Sequence, residues 1–137
     1  MARHVVAKVS EIQPGQRKRV TVGERNIVVF NVDGAFFALL DRCPHQGGSL
    51  CDGVMTGFVS ADVPGQYIYS RPGEFVRCPW HGWHFDVRTG KSWGDPERTY
   101  TKQYNVEVAE GRQLVEGPYQ AETFEVTVDQ QYVVVEA

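Results

Sequence analysis

The chain has 137 residues, 42% of them hydrophobic and 12% aromatic, which is one domain's worth of core that need not depend on a metal or a disulfide to fold. Its net charge of −3 (14 basic against 17 acidic residues) argues against a nucleic-acid binder, and no apolar run is long enough to span a bilayer. Three cysteines, an odd number, in a chain whose start does not read as a signal peptide suit metal ligation or buried thiols better than a disulfide framework. A soluble cytoplasmic protein without nucleic-acid or membrane partners is the expectation.

In chain order the pattern is β-rich. HVVAKV (4–9) is a short candidate strand. Pro14-Gly15 then sets off RKRVTV (17–22), whose cluster Arg17-Lys18-Arg19 reads as a solvated turn before the strand. NIVVFNV (26–32) and AFFALL (35–40) flank Asp33-Gly34, a strong hairpin signal. Residues 52–74 carry Gly53, Gly57, Pro64-Gly65 and Pro72-Gly73. They suggest two short strands, near 56–60 and 66–70, with a turn at each Pro-Gly. WHFDV (83–87) leads to a turn at Thr89-Gly90. YNVEVAEGRQLVEG (104–117) and FEVTVDQQYVVVEA (124–137) look like two hairpins of similar build rather than a true repeat. No helix of ordinary length is expected. The whole points to an all-β antiparallel sandwich or barrel.

The chemistry is concentrated in two segments, DRCPHQGG (41–48) and CPWHGWHF (78–85). Cys43-x-His45 and Cys78-x-x-His81 each put one thiolate and one imidazole on a loop. Pro44 and Pro79 can turn these loops, and Gly47-Gly48 and Gly82 let the backbone close round an inorganic group. A Cys2His2 donor set is compatible with a structural zinc, although finger-type sequences usually present a Cys pair and then a His pair. It is equally the donor set of a two-iron, two-sulfide cluster in which histidines replace two cysteines on one iron.

The two segments resemble the cluster-binding boxes of Rieske proteins, and the resemblance covers nearly the whole chain. It implies an all-β Rieske fold over 1–137 with a cluster-binding region of two loops at about 41–90. It also implies a [2Fe-2S] cluster with Cys43 and Cys78 on one iron and His45 and His81 on the other. Thirty-two residues separate His45 from Cys78, roughly double the family's usual gap. The extra length, about 52–74, reads as an inserted hairpin near the cluster, a tolerated surface insertion being set against a shield for the site or a partner surface.

Other candidates read as bystanders. Cys51 is expected to be a buried thiol, and His84 and His4 to be exposed. Trp80 and Trp83 are expected over the cluster, Trp93 in ordinary core, and Asp41, Asp86 and Asp95 in turns or caps. The respiratory branch of the family carries a disulfide and two hydroxyls about its cluster. Gly48, Trp80, Trp83 and Phe85 stand at the matching positions here and supply neither, which implies a low potential. A soluble ferredoxin taking electrons from a reductase to an oxygenase or related acceptor is the function implied. The alternatives are the Rieske-like small subunit of a nitrite reductase and a structural zinc module. A terminal oxygenase needs a second iron site for which neither length nor histidines remain.

Overall fold

A computed structural model describes residues 3–42, 49–63, 65–78, 84–92, 99–116 and 130–137. Nine strands dominate it: β1 (Arg3–Lys8), β2 (Arg17–Val22), β3 (Arg25–Val32), β4 (Ala35–Leu40), β5 (Val54–Val63), β6 (Gln66–Arg77), β7 (His84–Asp86), β8 (Gln103–Glu110) and β9 (Gln131–Glu136). One six-residue helix, α1 (Gly111–Glu116), follows β8. The all-β antiparallel architecture expected from the sequence is the one found.

Six strands form one sheet in the order β1-β9-β8-β4-β3-β2, and its two end strands approach one another, so the sheet curls into a nearly closed barrel. A second sheet of three strands, β5-β6-β7, packs beside it. Every pairing is antiparallel.

The strand sequences explain this layering. Within β3, Ile27 and Val29 point into the barrel with Val20, Ala38, Tyr104 and Val133. Val28, Phe30 and Val32 point the other way, towards Leu50, Val76, Cys78, Phe85 and Val87. A strand covered on both faces needs a continuous apolar run, which is what NIVVFNV supplies. β9 repeats the device: Val133 and Val135 enter the barrel, while Tyr132 and Val134 pack with Val5, Ala109 and Leu114 of α1. In β1 the register shifts between Val5 and Ala7, and this bulge lets Val5 face the helix side and Ala7 the barrel although they are two residues apart.

Three expectations change. Pro72-Gly73 is not a turn but lies inside β6. There Thr56 pairs with Phe75 and Phe58 with Ser70, so the extra β6 residues form a bulge, the one interior setting a strand grants proline. The stretch 104–117 is not a hairpin, because after β8 the chain turns into α1, and β8 pairs with β9 instead. Arg17-Lys18-Arg19 is no solvated turn but the first half of β2.

Candidate metal centre

The first segment leaves the end of β4 and returns at Ser49. Residues 43–48, and with them Cys43 and His45, lie outside the described residues, but both stems of the loop are described. The Asp41 amide donates to the Asn26 carbonyl at 2.8 Å. The Asp41 carboxylate, its side chain only 1% exposed, turns towards the returning chain. Its Oδ1 accepts from the Cys51 amide at 2.7 Å. The Ser49 hydroxyl lies 2.9 Å from Oδ2, and Arg19 Nε donates to the same oxygen at 2.6 Å. The second Arg19 nitrogen reaches Ser49 Oγ and, at 3.2 Å, Asp52. Arg17, two residues earlier on the same side of β2, donates through Nε to the Cys51 carbonyl at 2.6 Å and through its terminal nitrogen to that of Gly53.

The chain then makes a single turn, Leu50–Asp52, that plants Leu50 in the core beside Cys78 and Phe85. Gly53 follows, and a Cβ there would overlap the Arg77 carbonyl oxygen, so only glycine allows this approach. Val54 pairs with Arg77, the residue just before Cys78. On its other side Arg77 pairs with His84, the next-to-last residue of the second segment. Arg77 is thus where the exit of the first segment and both ends of the second meet. After β7, the turn from Asp86 to Gly90 is closed by amide bonds to the Asp86 carbonyl, and Asp86 Oδ1 accepts from the Arg88 amide. Arg88 pairs with Glu74 at 2.7 Å and covers the Phe37 ring.

Cys78 is 1% exposed and forms no disulfide. Residues 79–83, including His81, Trp80 and Trp83, lie outside the described residues, as do Trp93 and Asp95. A buried, unbridged cysteine at the point where both segments converge suits a thiolate ligand, and the set Cys43, His45, Cys78 and His81 has the donors that a two-iron cluster or a zinc ion takes.

The remaining candidates are placed directly. Cys51 is free and half-buried, and burial, with the Asp41 charge second, pushes its thiol up. His84 and His4 are half-buried on their strands rather than exposed, and Phe85 is fully buried. Asp86 is a turn residue as expected. Asp41 is not: it is a buried acceptor that joins the two stems of the first loop. Its hydrogen bond and charge in turn raise the Arg19 guanidinium. The sequence reading put Asp41 in a turn or cap and Arg17 and Arg19 in a solvated turn, and so missed that the three meet at the base of the first loop. The only local signal was the Arg-x-Arg spacing, which puts two long cationic side chains on one side of a strand.

Residues 2–105 match the model of the Rieske [2Fe-2S] domain. The chain belongs to this family. A Rieske-type [2Fe-2S] cluster is therefore its cofactor, and the donor set above fits it. The biphenyl dioxygenase ferredoxin subunit of Pseudomonas sp. (strain KKS102) is 35% identical over 107 residues, which cover 78% of this Rieske chain and 84% of that protein. The ferredoxin CarAc of Metapseudomonas resinovorans is 33% identical over 113 residues, 82% of this chain and 91% of that one. Among solved structures, a complex of reduced oxygenase and oxidized ferredoxin in carbazole 1,9a-dioxygenase superposes with a TM-score of 0.59 at 25% identity, covering 96% of this chain and 91% of the matched one. No helix among the described residues is long and apolar enough to cross a membrane.

Proposed function

We propose that this chain is a one-electron carrier of a dioxygenase-type system, taking an electron from a reductase and delivering it to an oxygenase, in the cytoplasm. Residues 1–137 act as a single Rieske domain with its cluster region at about 41–90 and an insertion at about 52–74. Cys43 and Cys78 hold one iron, and His45 and His81 hold the other. The cluster supplies one reversible electron per cycle, and with four protein ligands in place it offers no position to a substrate. The observation that carries the reading is the convergence at Arg77, which brings the exit of the first segment to both ends of the second and leaves Cys78 buried and unbridged beside them. The ferredoxin relatives and the oxygenase complex support the carrier role.

The protein's work is to hold the ligands and to keep the potential low. Hydrogen bonds to a cluster stabilise its reduced form and raise the potential. Phe85, where the high-potential branch carries a hydroxyl, is buried in apolar core and has no donor to offer. Redox titration followed by EPR tests both halves of the reading. The expected result is a reduced-state Rieske signal with a midpoint in the lower part of the range of roughly −150 to +300 mV. A colourless protein with stoichiometric zinc would reject the cluster ligands, and a midpoint near the top of that range would reject the low-potential assignment.

A further inference from the structure

We infer that Asp41, held by Arg19, is the positioning residue of the first ligand loop and governs how firmly the chain keeps its cluster. The inference rests on the ligand assignment proposed above. A carboxylate with 1% of its side chain exposed must be compensated or it is costly to bury. Asp41 receives the Arg19 guanidinium, the Ser49 hydroxyl and the Cys51 amide. Two of these three donors lie on the returning stem of the loop, and Asp41 itself lies on the outgoing stem, two residues before Cys43. The carboxylate therefore ties the loop shut across its base. Arg19 comes from β2, outside the loop, and bridges Asp41, Ser49 and Asp52, so the closed base is also fixed to the barrel wall. Arg17 secures the same stem through two carbonyls further on. Both stems that flank Cys43 and His45 in the sequence are thereby fixed to one another and to β2. Outer partners that orient metal ligands commonly contribute ten- to a hundredfold to retention of the metal.

The test is the rate at which the holoprotein's visible cluster absorbance bleaches with a ferrous chelator present, at a temperature well below unfolding, together with the reduced-state EPR spectrum. Asp41→Asn keeps the shape but loses the charge and one acceptor. It should bleach about tenfold faster than wild type with shifted g values. Ser49→Ala removes one strut only and should bleach severalfold faster, which keeps the test open should Asp41→Asn fail to fold. Val133→Ala, a cavity in the barrel core away from both loops, supplies a variant that is destabilised without touching the clamp. It should lower the melting temperature yet keep the wild-type bleaching rate and g values. Bleaching of Asp41→Asn and Ser49→Ala within twofold of wild type would overturn the inference. So would equal bleaching in Val133→Ala, since the clamp would then act only through global stability. The ligand assignment stands or falls separately, on the signal of the wild-type protein itself.

Discussion

Gly53 has φ −77° and ψ 177°, a backbone any residue adopts, so its identity is set by space and not by conformation. The space is taken by the Arg77 carbonyl, which a side chain at 53 would meet directly. Gly53→Ala must push β5 off the end of β6, and overpacking of this kind costs about 1–3 kcal/mol. Urea unfolding of the variant should show that loss, and a change below about 0.5 kcal/mol would mean that the two segments are not held together here. Cys51 gives a second residue-scale prediction. Its thiol is raised by burial first, so the folded protein holds the proton to higher pH than an ordinary cysteine does. Alkylation of native Cys51 by iodoacetamide should still accelerate with pH beyond about 9.5, where a thiol of the usual value near 8.5 is about nine-tenths ionised, and a rate already level there would contradict the shift. The linked stability runs in the same sense. The unfolded chain loses this proton first, so the contribution is intact below about 8.5 and is lost as pH rises from there towards the folded value. At this scale the four proposed ligands come from the sequence alone, where each pair sits within four residues, and of them only Cys78 lies among the described residues. The Asp41 clamp was not legible there, since Arg19 lies 22 residues from Asp41 and 30 from Ser49, and only the folded barrel brings β2 against the loop.

Among the elements, the hairpin of β3 and β4 was legible in full. Asp33 and Gly34 both take positive φ, 51° and 93°, which is the two-residue turn that an Asp-Gly between apolar runs specifies. The helix α1 was not legible, because GRQLVE has a strand-like apolar pair, and Leu114 is drawn in by Val5, Tyr132 and Val134, contacts distant in sequence. The β5–β6 hairpin was legible as two strands but not in extent, since a Pro-Gly ordinarily marks a turn and here occupies a bulge. That bulge divides the hairpin. Its base, at Val54–Thr56 and Phe75–Arg77, pairs with the second segment's stem through β7. Beyond it, Phe58–Ser60 pairs with Ile68–Ser70 and, among the described residues, with no strand outside the hairpin. An isolated two-stranded ribbon contributes little stability of its own, and shortening a loop changes closure entropy by only about 0.6 kcal/mol per halving. Replacing residues 59–69 by an Asn-Gly turn should therefore leave the cluster's visible and EPR spectra unchanged and the melting temperature within a few degrees. Loss of the cluster on this deletion would show that the ribbon is part of the site.

At the scale of the molecule, the two cores meet back to back on β3, yet they depend on the ligand segments unequally. Every strand of the barrel sends side chains to the interior core, and Cys78, the proposed ligand among the described residues, does not belong to it. The second core contains Cys78 itself, together with Leu50 from the exit of the first segment and Phe85 from the end of the second. A metal that joins two loops contributes its binding free energy to the folding of those loops and not to a core it never touches. Removing iron and sulfide should therefore loosen one layer and spare the other, because local stability follows local burial. Hydrogen exchange of the cluster-free protein is expected to keep the amides of β3, β8 and β9 as slow as in the holoprotein. The amides of β7 and of Phe75–Arg77 should quicken at least about tenfold, the change that a loss of about 1.4 kcal/mol in local opening free energy produces. Arg77 is the sensitive reporter, since its neighbours on both sides, Val54 and His84, are stems of the two segments. Uniform acceleration across all six barrel strands would mean instead that the cluster holds the whole chain together, and that β3 transmits the loss from one core to the other.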